Sequence, residues 1–235
     1  MHYKIIRMDV RSIVAFREPS FDLPTKAVEV LAGFYKALHP RYAIELKDLQ
    51  TSGGTSFGDV KLTVAALGGR ARVELTPMVM TSDLQNLEGN SEYQNLLCDF
   101  MSIAEERLKS SLSSVVLQQR FIRAVAWLKI DEGKEDALRL LKERGDAALE
   151  LEGGQYKDWS RSYSLGVNLA DGKGRELNVL LEPSGYPDVS DLFARGDYII
   201  TDRGEGLREV SDELESAFAE FEGFLKHIGL EASIA

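Results

Sequence analysis

The chain has 235 residues, a length that suits one large domain or two small ones. Apolar residues make up 44% and charged residues 28%, which excludes a disordered chain and a collagen-like one. The 28 Lys and Arg residues against 38 Asp and Glu residues give a net charge of -10. Because an acidic chain repels phosphate groups, we expect no binding to nucleic acid or anionic membranes unless a local basic patch exists.

Cysteine content and the N-terminal composition bear on the compartment. The single cysteine, Cys98, excludes an internal disulfide framework and a multi-cysteine metal site. The N-terminus carries Lys4, Arg7, Asp9 and Arg11, so it lacks the apolar centre of a signal peptide. No run approaches the roughly 18 apolar residues of a membrane helix. We therefore expect a cytoplasmic protein with no membrane segment.

Periodicity places strands and helices along the first half. The predicted elements are a strand over 6–16, a helix over 22–40, a strand over 42–46, two hairpin strands around Gly68-Gly69, an extended segment over 77–81 and a helix over 91–117. Apolar residues at every second position predict the strands, and apolar residues every three or four positions predict the helices. Asp22 and Pro24 begin the first helix and Pro40 ends it, while a capping box of Ser91 and Gln94 begins the second.

The second half repeats this order. Its predicted elements are a strand over 121–130, a helix over 134–144, a strand over 148–151, two strands over 165–169 and 177–181 joined by a turn, and a helix over 207–228. The strand over 121–130 is apolar on one face and partly apolar on the other, so we expect it at the centre of the sheet. The segment over 195–205 has no counterpart in the first half, and its glycines predict that it is mobile or is ordered by a partner.

Short matches between the halves favour an internal duplication. In the same order along both halves, Ala43-Ile44-Glu45-Leu46 matches Ala148-Leu149-Glu150-Leu151, Leu75-Thr76-Pro77 matches Leu181-Glu182-Pro183, Ser82-Asp83-Leu84 matches Ser190-Asp191-Leu192, and Leu108-Lys109 matches Leu225-Lys226. The interpretation is a duplicated β-α-β-β-β-α unit, with one repeat over 1–117 and the other over 118–235. Chance similarity among hairpin sequences is the alternative.

Hairpin-connected strands predict an α+β fold, a mostly antiparallel sheet with helices packed on one face. This order of elements resembles that of TATA-binding-protein-like duplicated saddles and, less closely, helix-grip folds. The resemblance covers element order alone, without a family motif. DNA binding by such a saddle needs a basic concave face, which the acidic composition disfavours. We therefore do not expect a nucleic-acid partner.

The sequence offers no catalytic residue, no cofactor site and no metal site with motif support. His2 lies at the terminus, while His39 and His227 end predicted helices, where a cation suits the helix dipole. Cys98 lies beside the apolar stripe of its helix, which predicts a packed thiol. No neighbour in sequence supplies a base or a cation that would activate it.

Two weaker patterns have ordinary structural explanations. Gly204-Glu205-Gly206 stands between a possible strand and a helix, a place where backbone amides can hold phosphate. The third glycine of that motif is missing and Glu205 adds negative charge, so a flexible connection is the preferred interpretation. Glu45 and Glu150 occupy matching positions and could face each other across a pseudo-two-fold axis, which would raise one pKa. The alternation of apolar and polar residues along the two strands instead predicts that both glutamate side chains point towards solvent.

One aromatic and basic segment is a candidate for ligand or partner binding. Its side chains are Tyr156, Lys157, Trp159, Arg161 and Tyr163. Aromatic rings interleaved with cations can stack on a ring or a base. The alternative is an edge strand whose alternating aromatic side chains pack on the sheet.

The last helix is a candidate docking surface because the charge is unequally divided. Residues 1–117 have a net charge of -1 and residues 118–235 one of -9. With the helix's apolar stripe facing the sheet, we expect its carboxylates to face outward: Glu209, Asp212, Glu213, Glu215, Glu220 and Glu222. Asp212, Glu215 and Glu222 form the candidate docking face for a basic partner. A solvated surface that maintains solubility is the alternative.

These observations favour a non-catalytic cytoplasmic binding or interaction protein with a protein partner of unknown identity. A homo-oligomer is compatible with the sequence. The alternative is an enzyme or a small-ligand-binding protein with a cleft between the two repeats, since ligand sites often lie at domain interfaces.

Overall fold

The computed structural model describes residues 1–53, 56–87, 92–112, 114–146, 155–156, 165–170, 174–186 and 188–233. Its elements are β1 (His2–Phe16), α1 (Leu23–Tyr42), β2 (Leu49–Ser52), β3 (Lys61–Ala66), β4 (Ala71–Leu75), β5 (Val79–Leu87), α2 (Glu92–Ser111), β6 (Leu117–Ile130), α3 (Lys134–Asp146), β7 (Gln155–Tyr156), β8 (Leu165–Ala170), β9 (Arg175–Pro183), β10 (Leu192–Thr201), α4 (Val210–His227) and β11 (Glu231–Ala232).

One large sheet runs through the molecule in the order β2-β3-β4-β5-β1-β6-β10-β9-β8-β7. Neighbours along this path are antiparallel, and the short β11 pairs with β1 in parallel. The β1–β6 ladder extends from Tyr3 opposite Ile130 to Phe16 opposite Leu117. The predicted α+β class with a mostly antiparallel sheet is confirmed, and so is the central position of the strand over 121–130.

Alternation gives the sheet two different faces. In β1, Met8, Val10 and Val14 are buried, whereas Arg7 and Arg11 on the other side of the strand are only partly covered. The buried side chains pack with those of the helices in one apolar core. Within the helix layer α2 contacts both α1 and α4. We call the opposite side, which carries Arg7 and Arg11 and lies away from the described helices, the helix-free face.

Helix ends account for one difference from the sequence prediction. The predicted strand over 42–46 is wrong, because α1 continues two residues past Pro40 to Tyr42. Ala43 then takes a left-handed conformation with φ 48° and caps the helix. Leu46–Asp48 forms a 3-10 turn, and the strand itself begins at Leu49. Similarly, α2 ends at Ser111, and Leu117 opens β6 rather than closing the helix.

Strand β5 is the element that periodicity underestimates. The sequence predicts an extended segment over 77–81, but the strand covers Val79–Leu87 and pairs with both β1 and β4. Polar residues obscure its alternation, because Ser82 is buried in the core and Asp83 pairs with arginines on the helix-free face. Asn86, with φ 55°, adds an irregularity near its end.

Strand β10 corrects the prediction for the segment over 195–205. Most of this segment is interior strand, paired with β6 on one side and β9 on the other. It has a counterpart, because β5 and β10 flank the central β1–β6 pair symmetrically. Each half thus has four strands between its helices rather than the predicted three.

The remaining predicted elements have mixed outcomes. The hairpin around Gly68-Gly69, the two strands β8 and β9, and the helix α3 are confirmed. The predicted strand over 148–151 lies outside the described residues. No described helix combines the length and the apolar character that crossing a membrane requires.

Candidate functional site

Helix α4 presents the predicted docking carboxylates on one side. Asp212, Glu215 and Glu222 are exposed, and at 100° per residue they fall within an arc of about 80°. We call these three side chains the acidic stripe. The exposed Ala219 and Lys226 also lie in this arc, and the exposed Gly223 lies about 20° beyond its edge. Glu220 points elsewhere, because it accepts a hydrogen bond from the Tyr198 hydroxyl at 3.1 Å.

The apolar side of α4 fixes the helix on the sheet. Leu214, Phe218 and Phe221 are buried in the core, as the apolar periodicity predicts. Phe221 lies directly over Gly196 of β10, where an added Cβ would come within 3.0 Å of the ring. Acidic residues in the first turn and Lys226 with His227 in the last turn complement the helix dipole. The acidic stripe is therefore carried by a firmly packed helix.

Glu213 contradicts the expectation that the α4 carboxylates face outward. Its side chain is 1% exposed and pairs with Arg120 of β6, which is fully buried. Arg120 also binds Glu105 of α2 at 2.5 Å, and the Glu105 side chain is 3% exposed. Lys109 adds a second cation to Glu105 at 2.9 Å. A buried carboxylate needs such partners because desolvation is costly, and sequence periodicity does not reveal where they come from.

The buried cluster of Arg120, Glu105 and Glu213 joins three elements. Arg120 also donates a hydrogen bond to the carbonyl oxygen of Arg208 at 3.1 Å. Glu213 accepts one from the Arg208 amide at 3.1 Å. The cluster thus connects α2, β6 and the segment that leads into α4. It positions the start of the helix that carries the acidic stripe.

Cys98 on α2 lies near the acidic stripe. Burial raises the pKa of its thiol, and the negative charge of Glu215 raises it further. The thiol is half-buried and packs against the core, as predicted. A raised pKa leaves it protonated near neutral pH, which makes it a weak nucleophile.

The helix-free face carries a paired arrangement that the sequence analysis missed. Arg11 of β1 lies opposite Arg123 of β6, so the two arginines share the central ladder. Asp83 of β5 lies opposite Arg11 and accepts from its Nε at 2.5 Å. Asp197 of β10 lies opposite Arg123 and accepts from its Nε at 2.6 Å and its Nη2 at 3.1 Å. The Arg–Asp pairs are arranged symmetrically about the β1–β6 seam.

A second arginine joins each pair. Arg72 Nη2 lies 3.6 Å from Asp83, and Arg195 Nε lies 3.4 Å from Asp197. The arginine side chains are 39–43% exposed, whereas those of Asp83 and Asp197 are 4% and 11% exposed. We call Arg72, Arg11, Arg123 and Arg195 the arginine row. Its four guanidinium groups face solvent above two carboxylates, so this part of an acidic protein is locally cationic.

Further charged and aromatic groups surround the arginine row. Arg72 also pairs with Glu74 at 3.3 Å, and Lys61 pairs with Glu74 at 2.7 Å. The Arg7 guanidinium lies 4.6 Å from the centroid of the Trp127 ring, which meets Phe193 edge-on at 5.7 Å. The Arg123 guanidinium lies 5.1 Å from the Phe121 ring. The alternation of aromatic and basic residues along β6 is visible in the sequence, but its cross-strand partners are not.

The predicted aromatic and basic segment is not placed by the structure. Lys157, Trp159, Arg161 and Tyr163 lie outside the described residues, and of Tyr156 the structure describes only its place in β7.

The paired-carboxylate hypothesis is not supported at its first position. Glu45 precedes a 3-10 turn instead of lying in a strand, and it pairs with Lys47 at 2.8 Å. Glu150 lies outside the described residues.

The Gly204-Glu205-Gly206 loop binds an internal anion. Asp202 accepts hydrogen bonds from the amides of Gly204 at 2.7 Å and Gly206 at 2.8 Å. These backbone bonds lower the pKa of Asp202, and Arg17 pairs with the same carboxylate at 2.9 Å. The amides that could have held phosphate are therefore directed at a residue of the chain itself.

A small cavity lies among the described residues of the second half. One cavity between β6, β10 and α4 has a volume of about 10 Å³ and is lined by Ala124, Gly196 and Phe221 among others. That is about the space of one water molecule. At the seam, β1 and β6 pair along most of their length, with register shifts between Ile5 and Arg7 and between Ala15 and Phe16. Among the described residues, no group of three or more His, Cys, Asp or Glu could hold a metal ion.

Comparisons with known proteins leave the family open. No family model matches the chain, and no curated protein matches it. A solved structure described as the di-domain ARO/CYC BexL from the BE-7585A biosynthetic pathway is similar over 90% of this chain and 94% of its own. The identity is 8% and the TM-score 0.22, a likeness too weak to support an argument about fold or function.

Proposed function

We propose that the chain is a non-catalytic cytoplasmic interaction protein that docks a basic partner on the acidic stripe. The observation that carries this proposal is that Asp212, Glu215 and Glu222 are exposed on one side of α4. The helix that presents them is held by its apolar contacts and by the buried Arg120 cluster. A charged surface on a rigid element suits recognition, because little conformational entropy is lost on binding.

Electrostatics favours an effect on the rate of association more than on affinity. Exposed charges attract a partner over about 8–10 Å at physiological salt, and this attraction raises the rate of encounter. Ala219 and Gly223 leave room for long basic side chains to reach the three carboxylates. The stripe therefore has both the charge and the shape for lysine and arginine side chains.

A charge-reversal experiment tests this function. The stripe variant carries Asp212→Lys, Glu215→Lys and Glu222→Lys, and a matched control carries Glu18→Lys, Glu29→Lys and Glu135→Lys at exposed positions elsewhere. Stopped-flow fluorescence measures association with a labelled oligolysine peptide over a range of salt concentrations. We expect the stripe variant to associate about tenfold more slowly than the control at low salt, with a flatter salt dependence. Equal association rates for the two variants would contradict docking on the stripe. The stripe would then serve only to maintain solubility.

We also propose that the chain arose by duplication, with repeats over 1–117 and 118–235. The support is that equivalent strands pair in the same register. Arg11 of β1 is the cross-strand partner of Asp83 in β5, as Arg123 of β6 is of Asp197 in β10. The same register aligns Leu75-Thr76-Pro77 with Leu181-Glu182-Pro183, as the sequence matches suggest.

The register does not support one of the sequence matches. It does not align Ser82-Asp83-Leu84 with Ser190-Asp191-Leu192, because the β9–β10 turn is longer than the β4–β5 turn. Five positions separate Leu75 from its partner Met80, and thirteen separate Leu181 from its partner Ala194.

A further inference from the structure

We propose that the partner of the acidic stripe is a second copy of this chain, which receives the stripe on its arginine row. This inference rests on the proposed function, since it names the partner of the same stripe. Both surfaces are present in one chain, and their charges are opposite. Three exposed carboxylates on α4 would meet four half-exposed guanidinium groups on the sheet.

The two surfaces lie on opposite sides of the molecule. Phe221 of α4 packs on Gly196 from the core side of β10. Asp197, the next residue of the strand, points to the other side and binds Arg123. A chain therefore cannot bind its own stripe, and the contact between copies is head-to-tail. Each contact leaves one stripe and one arginine row unoccupied at the ends, so the assembly can grow with concentration.

The dimensions of the two surfaces agree. Asp212 and Glu222 are ten residues apart on a helix, a length of about 15 Å. Arg72 on β4 and Arg195 on β10 are four strand spacings apart, a width of about 19 Å. A helix laid across the strands would thus bring the whole stripe within reach of the whole row.

The chemistry of the arginine row suits incoming carboxylates. Arg11 bonds Asp83 through Nε, and no bond from its two Nη groups is found within the described residues. Guanidinium groups bind carboxylates with two parallel hydrogen bonds, and they are less strongly hydrated than ammonium groups. Asp83 and Asp197 lie beneath the arginines and hold them in place without facing the incoming chain.

Nearby apolar surface can add contact area. The rings of Trp127 and Phe193 lie on the same face as the arginine row and are only partly covered. The small residues Ala219 and Gly223 beside the stripe allow the helix to approach the sheet closely. Burial of aromatic surface contributes the part of the binding free energy that exposed ion pairs do not supply.

Sedimentation velocity over a series of protein concentrations at low salt tests the inference. We expect the wild-type mass to rise above that of the monomer and to return to it at high salt. The stripe variant described above should remain monomeric, whereas the control variant should associate like the wild type. A row variant, Arg11→Gln with Arg123→Gln, should also remain monomeric.

Mixing the two defective variants gives the decisive measurement. The stripe variant keeps an intact arginine row and the row variant keeps an intact stripe, so one productive contact remains. We expect the mixture to form a one-to-one dimer and no larger species. If Arg11→Gln with Arg123→Gln does not fold, Arg72→Gln with Arg195→Gln replaces it, because each Asp then keeps its closer arginine.

Two results would overturn self-docking. One is a wild type that stays monomeric at every concentration at low salt, and the other is a mixture of variants that stays monomeric. Neither result affects the oligolysine measurement, which tests the proposed function independently. If the stripe variant binds oligolysine more slowly than the control while the wild type is monomeric, the proposed function stands and the partner is a different basic protein.

Discussion

Arg120 is the residue on which we expect stability to depend most. Its removal leaves Glu105 and Glu213 buried without their shared cation. We predict that Arg120→Leu lowers the free energy of unfolding by about 3–5 kcal/mol, as measured by urea denaturation. Because the two carboxylates would then resist ionisation in the folded state, the deficit should shrink as the pH falls.

The control for this prediction is Arg195→Leu on the helix-free face, where the side chain is half-exposed and Arg123 still neutralises Asp197. We expect its cost to be within about 1 kcal/mol. Equal losses for Arg120→Leu and Arg195→Leu would mean that the buried cluster has no special role.

Cys98 reports on the electrostatic field of the acidic stripe. Burial and Glu215 both raise the pKa of the thiol. Removing the negative charge favours the thiolate, so we predict that Glu215→Gln lowers this pKa and speeds alkylation at mildly alkaline pH. The measurement is the rate of iodoacetamide labelling as a function of pH. Glu222→Gln serves as the control, and an identical profile for wild type and Glu215→Gln would show that burial alone sets the pKa.

At the scale of elements, β10 behaves differently from what its glycines suggest. Its backbone is paired on both sides, from Leu192 to at least Ile200. We predict that its amides exchange with solvent as slowly as those of β6, as measured by hydrogen–deuterium exchange. The short edge pairing of β2 with β3 supplies the fast-exchanging comparison. Rapid exchange throughout β10 would contradict the sheet order.

Elements with regular periodicity could be predicted from the sequence, and those with polar interruptions could not. Helix α4 and strand β6 each have one buried charged residue, Glu213 and Arg120, but the apolar pattern around it is regular, and it predicts both elements to within a few residues. Strand β5 has Ser82 in the core and Asp83 on the opposite face, so its pattern resembles that of a loop. The place of such polar residues in a strand is explained only by their partners on the neighbouring strand. The local sequence does not show which distant strand will pair with which.

The same limit applies to the candidate sites. Exposure of the acidic stripe followed from helical periodicity, because it depends on one element alone. The burial of Glu213 required a cation from β6, 93 positions away in the chain. The arginine row required four strands from both halves to come together. Contacts made within an element were thus predictable, while contacts made between elements were not.

At the scale of the whole molecule, the net charge of -10 conceals an uneven distribution. Helix α4 presents carboxylates to solvent, and the arginine row presents guanidinium groups on the other side. The net charge, from which we expected no anionic partner, is therefore an average over two surfaces of opposite charge. An incoming charged group responds to the nearest surface, because salt screens the more distant one.

The central β1–β6 ladder has a consequence for synthesis on the ribosome. The first half emerges before β6 exists, and β1 is then a long strand with one unpaired edge. That edge stays open until translation has passed Ile130, and β6 gains its second neighbour only when β10 follows. An unpaired edge of this length invites pairing with other nascent chains. We infer that the chain matures late in translation, and that its first half alone would aggregate.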